Sequence, residues 1–356
     1  MKKPNNILNK ELAIDIKCQQ LENNLPNFMF DYFIHLKSTI KESSRYIYLK
    51  DITFFCEYLI EYKITNISKI KDLNTSHFNS ITSQDINYYI GEYCSHYAKN
   101  ENGKTTMYTN SSKSLARKRS AISNLFKYLY RNDQIDLNIT DKLNPIKLTK
   151  PQQDAIKRLD INEVDRMIDI VITGEGLNDR ELVYWNKTKL RDKAILTLFV
   201  TYGLRLDELV QLNVSSFNFN RGEYTIYRKR DKEVIMPINN SCEIVVKDYI
   251  NNERKDDKSK DDALFLSLQG KRMTERAIRD LVKKYTSLAM GVTKKNGYSP
   301  HKLRATTATT LIQNGFSIYD VQNLLDHDSV NTTQLYAAHK KNVKRNIINN
   351  YELINN

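Results

Sequence analysis

The segment YSPHKLRATTATTLIQNG (298–315) carries a histidine and an arginine three residues apart near the start of a predicted helix. Ser299 is the candidate N-cap, and Pro300 takes the first helical position. Because residues three apart share a helix face, His301 and Arg304 form a cationic, proton-handling pair suited to a phosphate. Such a pair alone is also compatible with a purely structural role.

A second segment, LLDHDSVNTTQLY (324–336), places a histidine and a tyrosine nine residues apart. His327 falls in the turn after an apolar helix, and Thr332 and Thr333 begin another helix that contains Tyr336. A phenol has an ordinary pKa of about 10, so Tyr336 is a poor nucleophile unless its surroundings activate it. The chain has 22 tyrosines, so this one needs functional neighbours before it indicates chemistry.

The elements that must position these residues are mostly helices. In the first half, apolar residues at helical spacing predict helices over 25–38, 43–62, 86–99 and 112–133, which would form a small bundle. The polar stretch KNENGKTTMYTNSS (99–112) is predicted to be a loop.

The second half begins after a basic, proline-containing stretch at 140–157. An Asp-x-x-Glu pattern at Asp160 predicts a helix start. A buried helix is predicted over 191–203 and a β-hairpin with a charged centre over 223–238, with a short strand over 263–267. The predicted fold class is therefore mainly α with a small β-sheet (α+β).

Composition narrows the class of protein. The 356 residues fit two or three domains, and 40% hydrophobic residues are enough for real cores. The net charge of +13 comes from both halves, as expected for two lobes sharing a nucleic acid. Two alternatives would explain the positive charge but not the motifs. One is a Lys-rich composition typical of AT-rich genomes, and the other is a protein that binds a polyanion or a membrane surface.

Other classes of protein are not expected. No stretch approaches the ~18 apolar residues of a membrane span, and the N-terminus lacks a signal-peptide core, so we expect a cytoplasmic protein without a membrane partner. The four cysteines include no CxxC pair, and the six histidines form no HExxH pattern. We therefore expect no metal and no cofactor.

The predicted helix over 112–133 has an unusual charge distribution. Its first turns contain Lys113, Arg117, Lys118 and Arg119, although the helix dipole disfavours cations at this end. Contact with a DNA phosphate backbone would explain the cluster. A solvated basic face is the alternative.

Four segments occur in a fixed order: TYGLRLDELVQL, YRKRDKEVIMPI, HKLRATTATTLIQNG and LLDHDSVNTTQLY. Together they resemble the tyrosine recombinases, the phage-integrase and Xer-like family. Gly203 to Leu209 fits its G-L-R-[IL]-x-E-L pattern, and His301 to Arg304 fits H-x-L-R. The resemblance covers about residues 25–350 and includes SLARKRSAISNLFKYL (114–129), similar to the last helix of the family's DNA-clamping domain.

The resemblance implies a role for each candidate catalytic residue. Tyr336 would attack the scissile phosphate, and Arg205 and Arg304 would clamp its non-bridging oxygens. Lys229 would protonate the leaving 5′ oxygen, with Lys232 as a second candidate. The remaining implied roles are deprotonation of the tyrosine by His301, a phosphate hydrogen bond from His327, orientation of neighbouring groups by Glu208, and DNA contacts from Arg228 and Arg230.

The resemblance also implies the architecture and the reaction. A helical, SAM-like core-binding domain (22–140), a basic linker (141–157) and a catalytic domain with a C-terminal exchange helix (158–350) would form a C-shaped clamp on DNA. The enzyme would form a 3′-phosphotyrosyl link and a Holliday junction without metal or ATP. Dimers on inverted-repeat sites would synapse as tetramers, with residues 340–356 docked into a neighbouring protomer or packed on their own domain.

The sequence departs from the family pattern at three places. Ala305 stands where the family usually has His, Asp326 replaces the usual Gly before His327, and the hairpin lacks both glycines. A type IB topoisomerase and a non-catalytic DNA-binding relative are the alternative functions. The motifs fit both chromosome-dimer resolution and mobile-element integration or excision, and the short length favours a simple Xer-like enzyme in the bacterial nucleoid.

Overall fold

The computed structural model describes residues 3–64, 66–101, 103–148, 157–228, 232–254, 262–326 and Thr333. The chain divides into two compact units, Met1–Lys150 and Pro151–Asn356, and the division falls within the predicted linker. The predicted domain limits themselves stay predictions. Within the described ranges, every helix is too short or too polar to cross a lipid bilayer.

The first unit is a helical bundle around one apolar core. Its helices are α1 (Asn5–Glu22), α2 (Phe30–Thr39), α3 (Glu42–Tyr58), α4 (Thr75–Asn79), α5 (Ser83–Tyr88) and α6 (Ser112–Arg131). Helices α3 and α5 each continue into a π-helical turn, at Leu59–Lys63 and Tyr89–Tyr93. The four predicted helices are confirmed, although the first begins only at Phe30 and the third ends at Tyr93.

Helix α1 was not predicted from the sequence, because few of its residues are buried. Among its residues only Ile7 and Cys18 are buried, so its sequence has little apolar periodicity. The helix is held on α3 by Arg45, which is fully buried and pairs with Asp15 (2.8 Å) and Glu22 (3.2 Å). A contact between charged groups distant in sequence leaves no signal in a hydrophobic pattern.

The predicted loop over 99–112 is wrong, because most of it is a β-hairpin. Strands β1 (His96–Glu101) and β2 (Lys104–Thr109) pair antiparallel, with His96 opposite Thr109. Gly103 has a φ of +75°, as tight hairpin turns require. The Asn-Gly dipeptide at 102–103, a strong hairpin signal, could have revealed the turn.

Among its described residues, the second unit packs eight helices beside a small sheet. They are α7 (Ile161–Thr173), α8 (Asp179–Trp185), α9 (Lys189–Tyr202), α10 (Leu206–Val210), α11 (Asn240–Asn252), α12 (Glu275–Ala289), α13 (Pro300–Gln313) and α14 (Ile318–Leu325). Helix α9 is central and contacts α7, α11 and α13. The predicted helix starts at Asp160, which caps α7 with Glu163, and at Pro300 are both confirmed.

The sheet has the strand order β3–β4–β5 and is antiparallel. Strand β3 is Phe217–Asn218, and the predicted hairpin is confirmed as β4 (Glu223–Tyr227) and β5 (Glu233–Pro237). The strand predicted over 263–267 is wrong, since Ala263 and Leu266 make only isolated bridges. The predicted helix containing Tyr336 and the segment 340–356 lie outside the described residues.

Candidate active site

Arg205 is fixed at the junction of α9 and α10. Gly203 ends α9 with a φ of +59°, and Arg205 is the N-cap residue of α10. Its backbone N–H donates to Glu208 Oε2 (2.8 Å), and its guanidinium Nη1 donates to Glu208 Oε1 (2.7 Å). Because Glu208 is buried, this double contact is shielded from water and orients the guanidinium.

Arg304 lies in the first half of α13 and is buried, with 3% of its surface exposed. Its Nη1 donates to the carbonyl of Gly203 (2.7 Å), and its Nη2 donates to the carbonyl of Leu325. The two motif arginines, 99 positions apart in the chain, are therefore attached to the same junction. The structure brings Arg205 and Arg304 together at the end of α14, and their shared hold on a phosphate stays a prediction.

His301 lies one turn before Arg304 and is exposed. Protein atoms around the imidazole remove part of its hydration, and the positive charges of Lys302, Arg304 and Arg205 add to this effect, so the pKa of His301 is lowered. A lowered pKa keeps the imidazole neutral near pH 7, which is the form that accepts a proton.

The C-terminus of α14 is the point on which the cations converge. Arg228, Arg304 and Arg205 donate to three successive carbonyls, those of Leu324 (2.7 Å), Leu325 and Asp326 (2.7 Å) respectively. The last carbonyls of a helix have no partner within the helix and carry partial negative charge, so they attract cations. Three segments distant in sequence are thereby held around one helix end.

Asp326 is the C-cap of α14 and has a φ of +50°, in the left-handed region. This conformation accounts for glycine at the same place in the family pattern. Its carboxylate accepts from Lys232 Nζ (3.0 Å) and lies 3.9 Å from Arg205 Nη1. Burial alone would raise the pKa of Asp326, but the hydrogen bond from Lys232 and the charges of Arg228, Lys232 and Arg205 lower it overall.

The β4–β5 hairpin contributes two of these cations. The backbone N–H of Arg228 donates to the carbonyl of Lys232 (2.8 Å), which extends the ladder beyond the strand ends. The Arg228 side chain is buried. Its predicted DNA contact stays a prediction, as do the roles of Lys229, Arg230, His327 and Tyr336, which lie outside the described residues.

The four cations predicted on α6 occupy different environments. Lys118 is buried, with its Nζ 3.2 Å from Asp51 Oδ1, and Arg117 pairs with the other oxygen of that carboxylate. Arg119 donates to the carbonyl of Leu143 (3.1 Å), and Lys113 is exposed. The structure thus brings Arg117 and Lys118 together and gives Arg119 a separate partner.

One further cation on this surface was missed by the sequence reasoning. Lys50 on α3 is exposed and lines the same groove as Arg117 and Lys118. The groove has a volume of about 630 Å³. No basic cluster surrounds Lys50 in the sequence, so its proximity to α6 is visible only in the fold. Among the described residues, no group of three or more His, Cys, Asp or Glu side chains is placed to hold a metal ion.

Known relatives match both units. The tyrosine recombinase XerD of Oceanobacillus iheyensis is 27% identical over 311 residues, covering 86% of this chain and 91% of the relative. The tyrosine recombinase XerC of Natranaerobius thermophilus is 31% identical over 266 residues, covering 73% and 79% respectively.

Solved structures show the same fold. The XerH site-specific recombinase bound to a palindromic difH substrate, a post-cleavage complex, superposes with a TM-score of 0.61 at 20% identity, covering 86% of this chain and 78% of XerH. The Tn1549 transposon integrase in complex with circular intermediate DNA gives 0.59 at 17% identity, covering 94% and 99%. The chain therefore has the core-binding plus catalytic domain fold of these proteins.

Family membership follows from a match over more than half of the chain. Residues 157–343 match the model of the phage integrase family, and this range contains every predicted catalytic residue. Together with the 31% identity to XerC, this match shows that the chain belongs to the phage integrase family of tyrosine recombinases, which cleave and rejoin DNA through a tyrosine intermediate.

Proposed function

We propose that the chain is a site-specific recombinase that exchanges strands between two DNA duplexes through a 3′-phosphotyrosyl intermediate and a Holliday junction. The observation that carries this proposal is the attachment of Arg205 and Arg304 to one helix end, with His301 beside them. Such an arrangement provides fixed positive charge for a phosphate whose negative charge increases in the transition state.

In the proposed reaction, Tyr336 attacks the scissile phosphorus and displaces the 5′ oxygen. Arg205 and Arg304 bind the non-bridging oxygens. A guanidinium has five N–H donors, so it can bind a helix carbonyl and a phosphate oxygen at the same time. The phosphotyrosyl bond is similar in energy to the DNA bond it replaces, so a 5′-hydroxyl of the partner strand can reverse the step without ATP.

Proton transfers complete the proposed step. His301 takes the tyrosine proton, which its lowered pKa favours by keeping the imidazole neutral. A hairpin lysine, Lys229 or Lys232, gives a proton to the leaving 5′ oxygen, and His327 donates a hydrogen bond to the phosphate. Metal and cofactors have no part in this scheme.

The proposed partner is double-stranded DNA carrying an inverted-repeat site. The structural relative XerH is bound to a palindromic substrate, and a two-fold site suits a dimer of identical chains. Two such dimers would form the tetramer in which strands exchange, with residues 340–356 docked into a neighbouring protomer. We place the enzyme in the cytoplasm, at the nucleoid.

We propose that the first unit binds the DNA backbone through α6 and α3. Lys113 and Lys50 are exposed, and Arg117 is half-exposed beside them, so their charges can reach phosphates. Lys118 and Arg119 act mainly by holding Asp51 and the Leu143 carbonyl. In the second unit, Arg230 would contact DNA at the hairpin, whereas the buried Arg228 would act mainly by holding the Leu324 carbonyl.

A strand-exchange assay tests the recombinase function. Two duplexes of different length, each carrying the site and a different fluorescent label, are incubated with the protein. Recombination produces duplexes that carry both labels. A type IB topoisomerase would relax supercoiled DNA without producing mixed duplexes, and a non-catalytic relative would do neither. Arg205→Ala is the matched control, because it should remove exchange while leaving DNA binding in a gel-shift assay largely intact.

A further inference from the structure

Two of the residues that depart from the family pattern meet at the C-terminal end of α14. Arg228 stands at one of the two hairpin positions where the pattern has glycine, and its Nη2 donates to the carbonyl of Leu324 (2.7 Å). Asp326 stands at the glycine position before His327, two residues after that acceptor. One helix end therefore has an added cation and an added anion where the pattern has neither charge.

The two added charges leave the balance of charge at this helix end unchanged. The balance counts the described side chains that bind the last carbonyls of α14 or are linked to those side chains through ion pairs. Four are cationic and two are anionic, so their net charge is +2; they are Arg205, Arg228, Lys232 and Arg304 with Glu208 and Asp326. With glycine at both departures, three cations and one anion would again give +2. Replacing Arg228 alone would lower the net charge to +1.

Burial makes the Arg228 charge a lasting part of this balance. The side chain is 6% exposed, so salt screens its charge less than that of a surface group. Its Nε is buried and has no hydrogen-bond acceptor among the described residues. A buried guanidinium is costly unless negative charge lies nearby. The Asp326 carboxylate is close enough to provide that charge: burial alone would raise its pKa, and the hydrogen bond from Lys232 and the charge of Arg228 lower it overall.

Without this counter-charge, the Asp326 carboxylate would act on Arg205. Its Oδ2 lies 3.9 Å from Arg205 Nη1, the nitrogen that also binds Glu208. A guanidinium binds carboxylate and phosphate oxygens with the same fork geometry, so Asp326 can compete with the scissile phosphate for Arg205. Lys232 also pairs with Asp326 (3.0 Å), but its side chain is 63% exposed, and exposed pairs are weak. The buried Arg228 is therefore the stronger restraint on this carboxylate.

We propose that Arg228 is a positioning residue whose buried charge offsets that of Asp326 and so leaves Arg205 available to the scissile phosphate. The inference rests on the proposed function. In this scheme Arg228 touches neither the phosphate nor the attacking tyrosine, and it acts through Asp326. Because the negative charge of the phosphate increases in the transition state, a weakened Arg205 contact should slow cleavage more than it weakens DNA binding.

A double-mutant cycle between Arg228 and Asp326 tests the proposal. Arg228→Met and Arg228→Gln each remove the positive charge, and only glutamine keeps a group that can donate to the Leu324 carbonyl. If one of these variants fails to fold, the other completes the cycle. Asp326→Asn removes the negative charge, and asparagine tolerates the left-handed conformation of this position. Cleavage of a nicked duplex is measured under single-turnover conditions at saturating protein, DNA affinity by gel shift, and stability by urea unfolding.

The proposal predicts that the effect of replacing Arg228 depends on Asp326. In the wild-type background, either uncharged variant slows cleavage about tenfold or more, and in the Asp326→Asn background it slows cleavage less than about threefold. Arg228→Lys retains the charge and stays within about threefold of the wild-type rate, and DNA affinity changes less than about twofold in every variant.

Arg272→Met is the matched control. Arg272 also holds a helix end, since its Nη1 donates to the carbonyls of Val210 and Leu212 at the end of α10 (3.0 Å each). Removing this guanidinium should therefore change the cleavage rate by the same factor with and without Asp326→Asn.

Two results would overturn the inference. One is an equal slowing by the uncharged Arg228 variants in both backgrounds, which is the result expected of a purely structural arginine. The other is an Arg228→Lys variant that is as slow as the uncharged variants while its stability is unchanged, since the charge would then have no effect. The proposed function fails separately, if the wild type forms no covalent adduct with the nicked duplex.

Discussion

Gly203 controls how closely the end of α9 approaches the end of α14. A Cβ atom added to Gly203 would lie 2.7 Å from Leu325 Cδ2 and 3.3 Å from Thr307 Cβ. Leu325 is fully buried in an apolar cluster with Ala308 and Val321, so moving its side chain disturbs packed neighbours. We therefore expect Gly203→Ala to displace the helix end that Arg205 and Arg304 bind.

The cost of this substitution has two separable parts. The φ of +59° costs an alanine about 1–2 kcal/mol of stability. Overpacking against Leu325 adds about 1–3 kcal/mol. Gly222 provides the matched control, because its φ of +63° is similar and nothing lies within 4 Å of an added Cβ. Gly203→Ala should therefore be less stable than Gly222→Ala by about 1–3 kcal/mol.

Urea unfolding followed by tryptophan fluorescence measures this difference. Trp185 is the single tryptophan of the chain and lies in the second unit, so its signal reports on that unit. Leu325→Ala removes the clashing atom, and in that background the cost of Gly203→Ala should fall to that of Gly222→Ala. Equal unfolding free energies for the two glycine variants in the wild-type background would refute the close approach.

Four further predictions test other parts of the account. Lys118→Met should lower the unfolding free energy of the first unit by about 3 kcal/mol, measured by circular dichroism in urea. The reason is that the buried Asp51 carboxylate loses one of the two cations that pair with it, Lys118 and Arg117. Unchanged stability would contradict the pairing of Lys118 with Asp51. Lys113→Ala should leave stability unchanged and reduce the salt slope of DNA binding by about 0.9, measured by fluorescence anisotropy; an unchanged slope would remove Lys113 from the interface. The pKa of His301 is lowered below 6.5, so just below pH 6.5 the unfolded chain binds more protons than the folded chain. The stability of the fold should therefore decrease on acidification through that window, and His301→Gln should lessen the decrease. An identical dependence of stability on pH in the variant would refute the lowered pKa. Cleavage should also persist in EDTA, and strict metal dependence would contradict a clamp made of guanidinium groups.

Much of the fold follows from local patterns in the sequence. The Asp160 cap, the Ser299–Pro300 helix start and the 223–238 hairpin are each encoded by a few neighbouring residues, and all three are found. Helix α1 and the β1–β2 hairpin were missed. The helix depends on the distant Arg45, and the described side chains of the hairpin are exposed apart from the partly buried Tyr97, so neither has the alternation that predicts its class.

The candidate site could be predicted in its residue types but not in its construction. Motif spacing identified Arg205, Arg304 and His301, because each motif is a contiguous segment. The shared attachment of three arginines to the end of α14 involves residues 21, 96 and 121 positions from their acceptors and has no local signature. The Asp326–Lys232 pair was likewise invisible, although the sequence marks Asp326 as a departure from the family pattern.

The central claim is that Tyr336 carries the DNA covalently, and mapping the adduct tests it most directly. The protein is trapped on a nicked duplex, digested with trypsin and nuclease, and analysed by fragmentation mass spectrometry. The tryptic peptide 305–340 contains two tyrosines, Tyr319 and Tyr336, so the fragments can distinguish them. We predict a nucleotide phosphate on Tyr336 and no adduct for Tyr336→Phe. An adduct on Tyr319 or elsewhere, or an undiminished adduct in Tyr336→Phe, would contradict the account.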